Sequence, residues 1–306
     1  GWQTHGDAAV VKPLRNVYRG LAVTADVNPF YMTLNPYHGA RAAVDEVCRN
    51  LTAVGARPDS IGDCLNFGNP EKPQRMGELH EATRGLGEMA RALHLPFISG
   101  NVSLYNETPT GAVPPTPTLL GIGIVDDVRR CVTTPFKQEG NPVYLIGDTE
   151  RELGGSAYYR LRGYSGGRVP RTDASRLQTS MDAVRSAIEK GYVAACHDVS
   201  AGGLAVCLAE MAMSGTGAEL CLYGMNDLRT DVKLFSESNT RWVVEVKKEA
   251  MEAFESAMGD VPHLQLGDVS GEHLTIYDGD DMCRYVHLSA ATMRQRWRAF
   301  LLDMMG

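Results

Sequence analysis

Two short polar stretches, each closing an extended apolar run and held a helix's length apart, constrain this 306-residue chain more than anything else in it. The first is Asp63-Cys-Leu-Asn-Phe-Gly-Asn-Pro-Glu-Lys-Pro73 and the second Ser99-Gly-Asn-Val-Ser-Leu-Tyr-Asn-Glu107. Between them Leu79, Leu86, Met89, Ala90 and Leu93 place an apolar stripe on a helix over about 77–93, opened by Pro73. The pattern predicts two strands running into loops of small and polar residues. Glycine and asparagine there tolerate unusual backbone angles and let a ligand come close to the main chain. Acids, amides and hydroxyls at strand ends also suit a metal–phosphate site.

The rest of the chain supplies layers around that unit. Residues 7–11 and 20–26 read as strands, Ala40–Val54 as a helix with Val44, Val47, Cys48 and Leu51 on one face, Ser60–Leu65 and Pro96–Ile98 as strands. The Pro- and Gly-rich run 108–117 reads as an exposed loop, and Leu119–Val125 as a strand. These make an α+β unit over 1–130, with the boundary inside 126–138. A mixed α/β domain over 131–306 follows. In it, strands are expected at 142–147, 193–197, 219–223, 241–246 and 274–277, with helices at 180–190, 204–213, 249–258 and 291–304.

A formal charge of −7 leaves no electrostatic footprint for nucleic acid. Seven scattered cysteines without a CxxC pair indicate neither a disulfide framework nor a zinc ribbon, so a cytoplasmic, reducing location is expected. No apolar run approaches the ~20 residues that span a bilayer, so no membrane partner is expected. The sequence opens at Gly1 without an initiator methionine, which suggests a piece of something longer.

Several side chains are candidates for chemistry, and each has a plainer alternative. Asp63 and Asn101 could hold a nucleotide or its Mg²⁺, but Asp and Asn cap helices and turns so often that pattern alone favours capping. Gly100 and Ser103 could receive a phosphate, or form a tight turn with a solvated hydroxyl. His197-Asp198 could be an acid–base or metal pair, or a structural hydrogen bond. Gly202-Gly203 could start a helix that binds an anion. Glu237-Ser238 could meet a polar ligand or form a strand-entry turn. No nucleophilic triad or catalytic set emerges from residue order.

The two long stretches resemble phosphoribosylformylglycinamidine synthase, the synthetase subunit of purine biosynthesis. Gly6-Asp-Ala-Ala-Val10, His197-Asp-Val-Ser-Ala-Gly-Gly203 and Phe235-Ser-Glu-Ser-Asn-Thr-Arg241 agree, as they do across the wider superfamily of aminoimidazole ribonucleotide synthetases, selenophosphate synthetases and thiamine-monophosphate kinases. The resemblance is to the C-terminal half of the small form. It implies a ferredoxin-like, barrel-forming N-terminal α+β domain, with an α/β domain beside it. The implied reaction turns formylglycinamide ribonucleotide, ATP and ammonia into formylglycinamidine ribonucleotide, ADP and phosphate. Carried over by position, Asp63 and Gly100 would bind ATP, Asn101 would ligate Mg²⁺ and Ser103 would touch the substrate. Asp198, Glu237 and Ser238 would be echoes of residues in the other half, a possible pseudo-site. The family's catalytic histidines have no counterpart here. The chain is therefore expected to need the N-terminal half of the synthase, or a second copy of itself, at its barrel face. The glutaminase subunit and a small bridging subunit are further implied partners. Alternatives are a non-catalytic scaffold half with a degenerate nucleotide site, or a homodimeric kinase or synthetase of the same superfamily.

Overall fold

The computed structural model describes residues 6–225, 227–279 and 281–305, with the side chains of 300–305 left aside. The first layer contains β1 (Ala9–Val11), β2 (Gly20–Asp26), α1 (Pro29–Leu34), α2 (Pro36–Ala53), β3 (Arg57–Asn66), α3 (Pro73–Ala92), β4 (Phe97–Ser103), the small hairpin β5 (Glu107–Thr108) and β6 (Gly111–Ala112), and β7 (Thr116–Val125). Five strands pair in the order β1-β2-β7-β3-β4, with β3 and β4 parallel and the other pairs antiparallel. The sheet is open, and β4 is an edge.

Two features depart from the expected layout. Asp63 lies in β3 as expected, but β4 runs on past Ile98 through Gly100, Asn101 and Ser103, so these three lie in a parallel ladder and not in a loop. Pairing supplies hydrogen bonds that glycine and asparagine would not otherwise attract. Helix α2 begins at Pro36, four residues earlier than its apolar spacing suggests. The Asn35 side chain accepts the His38 N–H at 2.9 Å and caps it. Six-residue α1 is capped in the same way by Asn28.

Helix α2 carries the fold. Val44, Val47, Cys48 and Leu51 are buried as their spacing requires, each contributing about 1.5–3 kcal/mol if fully withdrawn from water. It packs on α3 so closely that a Cβ on Gly85 would sit 2.6 Å from the Tyr37 carbonyl oxygen. The two helices cover one sheet face. Along β7 the alternation leaves Leu119 and Val125 buried beneath them, while Leu120, 42 % exposed, faces the other way.

The second layer contains β8 (Pro142–Ile146), α4 (Ala157–Leu161), α5 (Ala174–Glu189), β9 (Val193–Asp198), α6 (Gly203–Ala212), β10 (Ala218–Cys221), α7 (Thr230–Phe235), β11 (Trp242–Val246), α8 (Met251–Met258), β12 (His263–Val269), β13 (His273–Asp278), β14 (Cys283–Ser289) and α9 (Ala290–Met305). Its seven strands run β14-β13-β10-β12-β8-β11-β9. Sequence reading misses α7, β12 and β14. The amphipathic character expected of the last helix rests partly on side chains 300–304, outside the described residues. The largest core cluster joins α2 and α3 residues to Tyr144, Ile146, Leu177, Val184 and Trp242 of the second layer, so one apolar core spans both. Among the described residues no helix is long and apolar enough to cross a membrane.

Candidate functional site

Register sets one pair of the first-layer candidates face to face and gives each of the other two a different partner on β3. Asp63 lies opposite Gly100, and Cys64 opposite Asn101; Asn66 lies opposite Ser103. Because side chains alternate along a strand, Asp63 and Gly100 share the face of Leu119, toward the helices, while Asn101 and Ser103 lie on the open face with Cys64. Asp63 and Asn101 do not cap any helix here, so the capping alternative falls. A ligand meeting all four must straddle β4, which is possible because β4 is the sheet edge.

The Asp63–Gly100 contact explains the glycine. A Cβ on Gly100 would lie 2.9 Å and 3.1 Å from the two Asp63 carboxylate oxygens, closer than packed atoms approach. Burial pushes the Asp63 carboxyl above its usual range, against the opposing effect of the Asn101 backbone N–H that donates to it. Asn101 donates its Nδ2 to Cys64 Sγ at 3.7 Å, which turns its amide oxygen the other way, at an exposed position. An outward amide oxygen is a fitting ligand for Mg²⁺, which takes oxygen donors and keeps several waters. The Ser103 hydroxyl donates to Asn106 Oδ1 at 3.2 Å.

The second cluster is buried where α2 meets the other layer. His197 lies between two carboxylates, with Nδ1 2.6 Å from Asp7 Oδ1 and Nε2 3.0 Å from Glu210 Oε2. Burial opposes its charged form, but the Asp7 charge and hydrogen bond, with Glu210 and Asp198, hold the imidazolium well above the ordinary histidine range. Arg49 binds Asp198 at 3.2 Å and Asp45 within the same helix; Asp45 in turn accepts from the Thr240 N–H and hydroxyl. Burial pushes the Asp198 carboxyl up to about 7, with Arg49 acting against it. Asp26 and Glu46 hydrogen-bond each other, and burial raises both. Asp7, Asp26, Glu46, Asn50 and Asp198 line a cavity of about 350 Å³. One ligand atom each from Asp7, His197 and Asp198 lies within 4.8 Å of the others. His197 is committed to Asp7 and Glu210, and Asp198 to Arg49, so the metal-pair alternative competes with contacts these groups already make inside the chain.

The structure brings Glu237 and Ser238 to another role. The Glu237 carboxylate accepts from Gly202 N at 2.6 Å, Ala157 N at 2.8 Å and the Tyr31 hydroxyl, and Ser238 Oγ accepts from Glu150 N at 3.0 Å. The anion at the Gly202–Gly203 helix start is thus the chain's own carboxylate. Sequence reasoning missed Asp7, Asp45 and Arg49, whose partners lie 149 to 195 residues away. Only the Gly6-Asp7 motif carried any signal for them.

The comparisons with known proteins cover both layers. Residues 5–125 match the AIR synthase related protein, N-terminal domain, and residues 138–278 the AIR synthase related protein, C-terminal domain. The chain belongs to the AIR synthase related family. A relative in Methanothrix thermoacetophila, named phosphoribosylformylglycinamidine synthase subunit PurL, is 40% identical over 312 residues, covering 98% of this chain and 40% of the relative. Family members of known structure have the same fold. T. maritima PurL complexed with FGAR superposes with a TM-score of 0.80 at 20% identity, over 95% of this chain and 48% of that one. T. maritima PurL complexed with ATP gives 0.76 at 20% identity, over 95% and 47%. The chain spans about two fifths of the curated relative's length.

Proposed function

We propose that this chain is the C-terminal half of an ATP-dependent phosphoribosylformylglycinamidine synthase, dividing at residue 130 into a barrel-pairing α+β domain and an α/β domain. Similarity to PurL over two fifths of its length supports this reading, and one observation carries it into chemistry: Asp63 facing Gly100 across the β3–β4 ladder, where a Cβ would press on the carboxylate, beside an exposed sheet edge. In this reading Asp63 and Gly100 receive ATP on the helix side of β4, while Asn101 on the other side presents its amide oxygen to Mg²⁺. Ser103 touches the formylglycinamide ribonucleotide. When bound, the metal neutralises charge on the transferring phosphoryl group. The chain's own part is to bind and orient, because neither face of β3 or β4 offers a histidine to move a proton. The N-terminal half supplies the other wall, and a glutaminase subunit supplies ammonia, with a small bridging subunit and a cytoplasmic setting. Asp198, through Arg49, and Glu237, through Tyr31, tie the two layers together, while Ser238 braces the second layer at Glu150.

The test is ATP binding with Mg²⁺ by this chain alone and after addition of the N-terminal half. Binding only after mixing is the expected result, and tight binding alone would break the composite-site reading. In the assembled enzyme Asp63→Ala and Asn101→Ala are each expected to cut kcat/KM by about 10²-fold or more, as loss of a group that stabilises developing charge does. Their unfolding free energies should stay within about 1 kcal/mol of the parent, because Asn101 is exposed and the half-buried Asp63 gives up a single hydrogen bond, from the Asn101 N–H. Full activity in both variants would remove the assigned roles.

A further inference from the structure

Asn106, just beyond the end of β4, makes more directed contacts than any other side chain around the open edge. Its Nδ2 donates to the Phe67 carbonyl at 3.0 Å and the Ser103 carbonyl at 2.9 Å. Both of those partners are acceptors only, so the amide group has one orientation, and the Ser103 hydroxyl lies against both of its ends, donating to Oδ1 at 3.2 Å and accepting from Nδ2 at 3.1 Å. The backbone repeats the tie: Asn106 N donates to Phe67 O at 3.2 Å, and Phe67 N donates to Ser103 O at 3.0 Å. Phe67 is itself fixed, with its ring 1 % exposed in the main core. Between Ser103 and Asn106 the chain turns through Tyr105 at φ 60°, a left-handed conformation that a tyrosine adopts only when its surroundings hold it there. Asn106 thus stands between a core anchor and the hydroxyl of Ser103.

We infer that Asn106 is a positioning residue for the substrate: it fixes the Ser103 hydroxyl and the end of β4 against the Phe67 anchor. The inference rests on the reading that Ser103 touches the substrate. A freely rotating serine loses rotamer freedom on binding, whereas one already held by Asn106 has lost it beforehand. The effect belongs to ground-state binding of the substrate and not to the phosphoryl step, so it is read in KM.

The experiment is a double-mutant cycle in the assembled synthase with Ser103→Ala, Asn106→Ala and the pair, measuring kcat, KM for substrate and KM for ATP. A single neutral hydrogen bond is worth about 1 kcal/mol, so Ser103→Ala is expected to raise substrate KM by roughly fivefold to tenfold, with kcat and ATP KM within about twofold. Asn106→Ala should do the same, and the double variant should be no worse than either single one. Asn106→Asp keeps an oxygen for the Ser103 proton but sets a second acceptor against the Phe67 and Ser103 carbonyls, so it should raise KM at least as much as Asn106→Ala. A substrate KM within twofold of the parent in Asn106→Ala, while Ser103→Ala raises it, overturns the inference and leaves the Ser103 contact standing. Effects that multiply in the double variant, or that fall on kcat and ATP KM alike, overturn it as well, because Asn106 would then act only on the fold. If Ser103→Ala itself changes nothing, the substrate contact is wrong and the inference falls with it.

Discussion

The edge of β4 and the cluster around Arg49 are built from the same side chains, aspartates and asparagines with one cationic or amide partner, yet they are opposites. At the cluster the chain completes its own contacts. Arg49 is 1 % exposed and bound to Asp45 and Asp198, and His197 is held on both sides. At the edge the polar groups have few internal partners, and the strand is exposed on both faces. The contrast separates polar residues that hold a protein together from polar residues that wait for something outside it. Residue type does not tell the two apart; burial and partner geometry do.

That contrast gives ordered ways to test it. The largest expected effect is at the cluster. Arg49→Ala takes the cation from two buried carboxylates and should cost about 3–5 kcal/mol in unfolding free energy, measured by denaturant titration. A loss below about 1 kcal/mol would mean that the cluster is wet or already neutral. By comparison, the edge variants Asp63→Ala and Asn101→Ala should leave stability almost unchanged while activity falls.

The next effect is in pH. Asp198 titrates near 7 in the folded chain against about 4 when unfolded, and His197 above its ordinary value. Both groups hold protons in the native state that the unfolded state has released. Stability is therefore full at the acid end of each window and falls as pH rises, between about 4 and 7 for Asp198 and above about 6.5 for His197, by up to about 1.4 kcal/mol per pH unit for each proton. The melting temperature should drop from pH 5 to pH 9, and the part of the drop below pH 7 should shrink in Asp198→Asn. A melting temperature that climbs over that range would reverse the assignment. Smallest is a chemical difference. Cys64, exposed on the open face, should react with a thiol reagent in the folded protein, while Cys196 and Cys207, buried and with their thiols pushed well above the usual range, should react only on unfolding. Equal rates would erase the distinction between the two regions.

What could be read beforehand follows the range of the forces involved. Apolar spacing marks α2 and α3, because burial of one helical face is a local property of sequence. Their ends are less legible, since the start of α2 depends on one cap at Asn35. β14 is exposed along most of its length and so lacks the alternation that marks a half-buried strand. Helix α7 is too short to show a period. The site was legible as a set of residues but not as an arrangement. Motif resemblance pointed to Asp63, Gly100, Asn101 and Ser103, while the division of those four between the two faces depends on the parallel register of β3 with β4. The buried cluster joins side chains 149 to 195 residues apart, and no local pattern encodes such pairs.

Trp242 donates its indole N–H to the Arg49 carbonyl at 3.1 Å, beside the ion pairs of the same arginine and under a core common to both layers. Seen mechanically, the two layers are clamped to each other among the described residues. Swinging one layer away from the other about the connection at 126–141 would drag a guanidinium, two carboxylates and an indole into water together. Any closure around a ligand must therefore come from a separate body advancing on the open sheet, with this chain serving as the fixed jaw.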